Sequence, residues 1–486
     1  MTAMQIDTRN QDLLSIQEAR ELLIQAHEAQ EALREFDQAR IDRIVEAMAR
    51  AGLENAQRLA TLAVEETGIG VVADKVVKNQ FAAQNVAAYI REMRTVGIIH
   101  EDPARKVVEI AEPMGVVVGL VPTTNPTSTV IYKALISLKS RNSIVFSPHP
   151  RAAKCTCEAA RIMAEAALAA GAPQGVVGCL TLTTKEATDE LMHHKLTAVI
   201  LATGGSAMVK AAYSAGKPAY GVGPGNVPAF IERTADIPQA VTDILASKTF
   251  DNGTICASEQ SIIADAPIAE QVIAELKRQG GYFLTETEVP LLEKTVMLPA
   301  GGVNPKVVGQ SPKVIAEMAG IAIPEKTRVL MARLSGVGKK YPLSAEKLCP
   351  VLAFYTEADW QKACERCYEL LEFGGIGHSL VIHSQNDRVI REFALKKPVF
   401  RILVNTPSSQ GAIGLTTGLA PALTLGCGTW GGSITADNVG PLHLINRKRL
   451  AYSLSAPVGK PSGGCFNNFS YTREEIIQAV NEIGKP

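Results

Sequence analysis

The run MGVVVGLV at residues 114–121 carries no polar side chain and no alternation over eight positions. A strand with one wet face would alternate, so this pattern fits a strand buried on both faces, as the inner strands of parallel sheets are. The next ninety residues keep the same rhythm. The periodicity predicts a helix near 130–140, a strand near 143–146, a helix near 152–170 and a strand near 178–182. A helix near 185–193 and a strand near 198–202 complete the set. Strand–helix units repeated at this length predict an α/β, doubly wound parallel sheet.

Residues 13–93 precede this region and are rich in Ala, Glu, Arg and Leu at helical spacing, so several helices come first. A short β-rich run lies at 106–110. A second alternating set over 235–405, with strand candidates at 261–264, 351–355, 379–383 and 401–404, predicts a second α/β domain. With 486 residues, two or three domains are the natural division. Past residue 455, APVGKPSGG reads as a linker. YTREEIIQAVNEIGKP then reads as an amphipathic helix, with Thr472 and Glu475 forming a capping box.

Composition removes several function classes. Lys plus Arg and Asp plus Glu balance at 49 each, which gives the surface no reason to gather polyanions, so nucleic acid is not an expected partner. No apolar run is long enough to span a bilayer, and the first residues do not build a signal peptide. The expectation is a soluble, unexported protein without a membrane partner. Nine cysteines are scattered without a framework. The close pairs Cys155/Cys157 and Cys364/Cys367 lack complementary ligands at zinc spacing, so reduced thiols and no metal are expected.

Three segments hold candidate chemistry. In SKTFDNGTICASEQS, residues 247–261, Cys256 follows an Asp-Asn-Gly turn that can bring backbone N–H groups near the sulfur. The flanks read as polar and wet, with no acid immediately beside the thiol, which suits a reachable nucleophile. In VPTTNPTSTVIYKAL, residues 121–135, a buried strand gives way to a helix, the edge at which open parallel sheets bind ligands. Asn125 there offers an amide to a developing oxyanion, or simply opens a turn before Pro126. In LATGGSAMVKAA, residues 201–212, glycines precede a helix N-terminus that could receive a phosphate, a weak signal alone because it is not G-x-G-x-x-G. GVGPGN, residues 221–226, reads as a tight turn.

Taken with PTTNPTS, SPHPRA, ILATGG, EKLCPVL, GGIGHS and TLGCGTWGG, these segments resemble the CoA-acylating branch of the aldehyde dehydrogenase superfamily, in family order over residues 19–452. The likeness is strongest to the aldehyde dehydrogenase half of bifunctional alcohol/acetaldehyde dehydrogenases, in a stand-alone form. The resemblance implies Cys256 as nucleophile, Asn125 as oxyanion amide and His378 as a histidine near the substrate. It also implies Glu346 on the nicotinamide-side ribose, with Thr123, Ser147, His149, Arg151, Thr203, Gly204, Gly205 and Gly223 around the dinucleotide. NAD is the implied cofactor, with NADP as alternative, and coenzyme A the cosubstrate. Hydrolytic members carry a glutamate base where this chain has Gly221, so water should attack a thioester slowly and coenzyme A should take the acyl group.

The resemblance further implies residues 1–234 as helices and dinucleotide domain, with a β arm near 104–112 for oligomerisation, and 235–430 as catalytic domain. Residues 431–455 would return to the arm, and 456–486 would be linker and terminal helix. A homodimer or homotetramer is expected. The terminal helix resembles an encapsulation peptide for a bacterial microcompartment shell, with an oligomer contact as the alternative. Acetaldehyde is the default substrate; propionaldehyde, sulfoacetaldehyde and succinate semialdehyde are the alternatives.

Overall fold

The structure, a computed structural model, describes residues 10–454; the terminal helix expected from the sequence lies outside the described residues. Helices Gln11–Arg34, Gln38–Glu54, Ala56–Thr67 and Val72–Gln80 come first, the last continuing through a π-helical turn to Ile90. Strands β1 (Gly97–Asp102) and β2 (Val107–Pro113) form an antiparallel hairpin.

The next five strands, β3 (Val116–Val121), β4 (Ser143–Pro148), β5 (Val177–Cys179), β6 (Thr197–Thr203) and β7 (Ala219–Val222), make a parallel sheet in the order β5-β4-β3-β6-β7. All six residues of β3 are buried, because it is the central strand and is covered on both faces. That placement explains the unbroken apolar run. Strand order reverses between β3 and β6, so the switch point lies between the loops after Val121 and Thr203. These loops hold residues 123–125 and 204–205.

Strands β8 (Val227–Ile231), β9 (Glu259–Asp265), β10 (Gly281–Phe283), β11 (Val329–Arg333), β12 (Val351–Glu357), β13 (Leu380–His383) and β14 (Ile402–Val404) form a second parallel sheet. Its order is β10-β11-β12-β9-β8-β13-β14. The last strand, β15 (Ile445–Ala451), returns to pair antiparallel with β2, and Arg447, Lys448 and Arg449 reach Glu109 and Glu112 across that ladder. Two features depart from the sequence reading. β8 joins the second sheet, so the passage between sheets falls at the 223–226 loop rather than at residue 234. The sequence reading names no strand at β1, β7, β8, β10, β11 or β15; β7 and β10 are four and three residues beside Gly or Pro, too short to show a period.

The second sheet matters for what its register brings together. Parallel strands that lie side by side all begin at one edge. Gly225, Cys256, Glu346, His378 and Arg401 each stand one to five residues before β8, β9, β12, β13 and β14, which are contiguous in the order β12-β9-β8-β13-β14. Five segments scattered over more than 170 positions of sequence therefore meet at the amino ends of neighbouring strands.

Candidate active site

Cys256 sits at the end of a strained approach. Asp251 and Asn252 both adopt left-handed backbone, at φ of 50° and 52°, and Gly253 follows at 74°. The segment is not wet, contrary to the reading of its flanks: Asp251, Gly253, Thr254, Ile255, Ala257 and Ser258 are buried, and Thr249, Phe250, Asn252 and Cys256 are half-buried. Small polar residues are tolerated here because the fold supplies partners for them, Thr254 Oγ1 donating to Asp251 at 2.7 Å and Ser258 Oγ to the Gly253 carbonyl.

His378 Nε2 lies 3.2 Å from Cys256 Sγ, and its Nδ1 lies 3.0 Å from Ser379 Oγ. Burial, with Arg401 adding to it, holds the imidazole down to about 3, so the ring is neutral at physiological pH. With Nδ1–H donating to Ser379, the Nε2 lone pair faces the thiol and can take its proton. The thiol is pushed up to about 12 by burial, then by the Glu346 carboxylate and by Cys427. No acid neighbours Cys256 in sequence, but the fold brings Glu346 within electrostatic reach. The resting pair is thus thiol and neutral imidazole, not an ion pair.

Close approach dictates two glycines. A Cβ on Gly225 would fall 2.0 Å from the Cys256 carbonyl oxygen and 3.2 Å from His378 Cε1. A Cβ on Gly377, at φ +80°, would fall 1.9 Å from the Cys427 carbonyl oxygen. Any side chain at either position would push the loops off the nucleophile. Gly225 N–H also donates to Glu346 Oε1 at 2.9 Å. Burial raises the Glu346 carboxyl to about 7, opposed by Gly225 and by Lys248 and Lys347.

Gly221 is closed to a side chain as well. A Cβ there would stand 2.6 Å from Val209 Cγ1 and 2.8 Å from Tyr213 Cε2, and Gly221 N–H donates to Tyr213 Oη at 2.8 Å. The tyrosine ring fills the space that an acid at 221 would need.

The structure divides the other sequence-predicted site residues into two groups. Asn125 caps the helix Pro126–Lys139 without a side-chain cap bond; its Oδ1 accepts from Lys78 Nζ at 2.6 Å, and Nδ2 donates to Thr124 Oγ1. Lys78 reaches Thr254, two residues before Cys256, so Asn125 is joined to the nucleophile's loop. Ser147, His149, Arg151, Thr203, Gly204 and Gly205 instead gather at the carboxyl edge of β4 and β6, with half-buried Thr123 in the loop after β3. Ser147 bonds Thr188, His149 Nδ1 accepts from Arg151 N–H, and the exposed Arg151 guanidinium donates to the Thr67 carbonyl.

This edge fits a dinucleotide. Thr203 Oγ1 is buried without a partner, and an added Cβ at Gly205 or Gly223 would meet nothing. Gly205 stands at the open start of the helix Ser206–Ser214, where backbone N–H groups suit a phosphate. Among the described residues no group of three or more His, Cys, Asp or Glu is placed to hold a metal ion. Cys157 faces Cys179 rather than its sequence neighbour Cys155, with the sulfurs 3.2 Å apart.

Sequence reasoning missed Arg401. It is 2% exposed, and its five N–H groups go to the carbonyls of His378, Gly426, Ala436 and Asp437 and to Asn438 Oδ1. It pins the His378 and Cys427 loops around the sulfur, and its charge favours the Cys256 thiolate. A lone Arg before an apolar run carries no sequence signal for that task.

These values predict the thiol's reactivity. With its pKa near 12, the thiolate fraction at pH 8 is small, so alkylation of Cys256 by iodoacetamide should climb about tenfold per pH unit from 7 to 10 without a plateau. Glu346 loses its proton near 7 and opposes the thiolate above that, so Glu346→Gln should speed alkylation at pH 8. A plateau near pH 8.5, or a slower Glu346→Gln, would contradict this picture.

A doubly wound sheet in the same chain as a half-buried thiol against a buried imidazole defines a class of enzyme that handles a dinucleotide and a covalent adduct together. Residues 11–287 match the aldehyde dehydrogenase family model. The bifunctional aldehyde-alcohol dehydrogenase AdhE of Escherichia coli (strain K12) is 45% identical over 442 residues, 90% of this chain and 50% of that one. The acetylating succinate-semialdehyde dehydrogenase of Clostridium kluyveri is 37% identical over 433 residues, 89% of this chain and 95% of that protein. The crystal structure of an acetylating aldehyde dehydrogenase from Geobacillus thermoglucosidasius superposes with a TM-score of 0.90 at 55% identity, covering 92% of this chain and 98% of the other. A propionaldehyde dehydrogenase of Rhodopseudomonas palustris, solved with propionyl-CoA bound, gives 0.80 at 27%, covering 89% and 94%. The chain belongs to the aldehyde dehydrogenase family. It spans about half the length of the first of these curated relatives.

Proposed function

We propose that this protein oxidises a small aldehyde with a nicotinamide cofactor and passes the acyl group to coenzyme A through a thioester on Cys256. The observation that carries the proposal is the Cys256–His378 contact at 3.2 Å, taken together with a position 221 that Tyr213 closes to an acid. Acylating relatives add support.

In this reading the Cys256 thiol gives its proton to His378 Nε2 as sulfur adds to the aldehyde carbon. The proton then resides on a nitrogen that burial makes a weak base, so it is readily passed on. The carbonyl oxygen becomes an oxyanion and takes hydrogen bonds from Asn125 Nδ2 and the Cys256 backbone N–H. A bound oxidised nicotinamide would supply the hydride acceptor, leaving the acyl group as a thioester on Cys256. Thr203, Gly204 and Gly205 would hold its phosphates and Glu346 its ribose; NAD is the expected form, with NADP as alternative. The thiol of coenzyme A loses its proton to His378 and adds to the thioester. Collapse of that adduct returns the Cys256 sulfur and releases acyl-CoA. One thioester replaces another, so the reaction is reversible and the kinetics ping-pong.

Acetaldehyde is the proposed substrate rather than an anionic aldehyde. Arg401, the guanidinium whose charge acts on Cys256, has every N–H engaged by backbone or by Asn438. It therefore has no donor to offer a carboxylate or sulfonate. A panel with coenzyme A should give acetaldehyde and propionaldehyde the higher kcat/KM, at least about tenfold above succinate semialdehyde and sulfoacetaldehyde; the reverse order would overturn the choice.

One observation favours a second reading, hydrolysis of the thioester to the free acid. Glu346, near pKa 7 and within electrostatic reach of the sulfur, is the acid that would have to serve as base for water. Its hydrogen bond to Gly225 holds one oxygen, and NADH formation that needs no coenzyme A would be its signature.

A further inference from the structure

Behind the nucleophile's loop lies a buried ionic cluster that the proposed chemistry does not use. The helix Val72–Gln80 presents Lys75 and Lys78 one turn apart, both nearly inaccessible, to Asp251, which is wholly buried. Lys78 Nζ has three polar neighbours: Asp251 Oδ2 at 2.5 Å, Thr254 Oγ1 at 2.9 Å and Asn125 Oδ1 at 2.6 Å. Lys75 Nζ contacts the same Asp251 oxygen at 2.9 Å and the Thr124 carbonyl at 2.8 Å. Asp251 Oδ1 accepts the Val71 N–H, and Asp74 accepts the Asp251 N–H.

We infer that Lys78 is a positioning residue for the oxyanion amide, fixing the orientation of the Asn125 side chain and tying it to the loop that carries Cys256. The inference rests on the reading of Asn125 as an oxyanion donor.

Donor chemistry fixes the amide's orientation. An ammonium only donates, so the atom of the Asn125 amide facing it at 2.6 Å must be the oxygen. An inverted amide would set NH2 against NH3⁺ in a buried site, with both donors unpaired. The orientation of Nδ2 follows: it points away from Lys78, gives one N–H to Thr124 Oγ1 at 3.1 Å and keeps the other for a ligand. A cation on Oδ1 also draws electron density from the amide, which strengthens that remaining N–H as a donor. The same ammonium holds Asp251 and Thr254, five and two residues before Cys256, across the left-handed turn. One cation thereby sets the spacing between amide and sulfur.

A buried ion pair that merely supports the loop would leave much the same static picture. A double-mutant cycle separates the two roles, because a residue that acts through Asn125 has nothing to act on once that amide is gone. The variants are Lys78→Met, Asn125→Ala and their combination, in the full chain, with kcat and aldehyde KM read from NADH formation at saturating coenzyme A. Thermal midpoint and iodoacetamide labelling of Cys256 report on the fold and on the nucleophile.

Lys78→Met should lower kcat on the order of 10- to 100-fold, with KM changed by no more than about threefold. The double variant should match Asn125→Ala within about threefold. Losses that multiply would overturn the inference and make Lys78 a scaffold. An Asn125→Ala enzyme within about threefold of the parent would instead refute the oxyanion reading on which the inference rests. Should Lys78→Met not fold, Lys78→Gln takes its place: it keeps an N–H donor for Asn125 without the charge, and the same equality or multiplication decides the matter.

Discussion

Cys256→Ala should lose aldehyde oxidation by on the order of 10⁴-fold or more, since removal of a covalent nucleophile eliminates the pathway rather than slowing one step. Dinucleotide affinity should stay within about threefold, because the loops after β4 and β6 belong to the other sheet. Intact-protein mass spectrometry after incubation with acetaldehyde and NAD should show no acyl adduct on the variant. Retained turnover, or an adduct on another cysteine, would remove Cys256 from its role as nucleophile. The adduct test has value here because eight described cysteines are free thiols, and Cys427 lies close enough to act on Cys256 electrostatically.

Asn125→Ala carries the second-largest expected effect. Loss of one oxyanion donor should raise the barrier by ~2.7–4 kcal/mol, a fall in kcat of about 10²- to 10³-fold. Oxyanions form twice in the proposed cycle, on the aldehyde carbon and on the thioester carbon. NADH formation in a single turnover and acyl release to coenzyme A should therefore both slow. Slowing of the first alone would confine the amide to the oxidative half. The Pro126–Lys139 helix should persist in the variant, since Asn125 gives it no side-chain cap bond.

The parts of this molecule that were legible in the sequence are those where one residue's environment repeats along a strand or helix. MGVVVGLV declared its strand because β3 is buried throughout. β7 and β8 flank a Gly-Pro loop and gave no such signal, although the Gly225 of that loop supports the nucleophile's backbone. The flanks of Cys256 read as wet because Thr, Ser and Asp normally are, whereas here a left-handed turn buries Asp251 against two lysines and Thr254 against one of them, and Ser258 bonds the Gly253 carbonyl. Lys78 and Arg401 were invisible for the complementary reason. A lone cation reads as a surface residue until the partner that justifies its burial is known, and those partners lie more than 20 residues away. Glu346 and His378 are legible only through family likeness. Their proximity to Cys256 follows from the register of five parallel strands, which no local pattern encodes.

The proposed chemistry turns on a Cys256 thioester that waits for coenzyme A and not for water. Mixing the enzyme with acetaldehyde and excess NAD, without coenzyme A, and following absorbance and intact mass together puts that to the test. The expected outcome is one equivalent of NADH per subunit, a stalled chain about 42 Da heavier from the acetyl group on Cys256, and resumed turnover on adding coenzyme A. NADH formation that continues at an undiminished rate without coenzyme A, with no adduct accumulating, would contradict it.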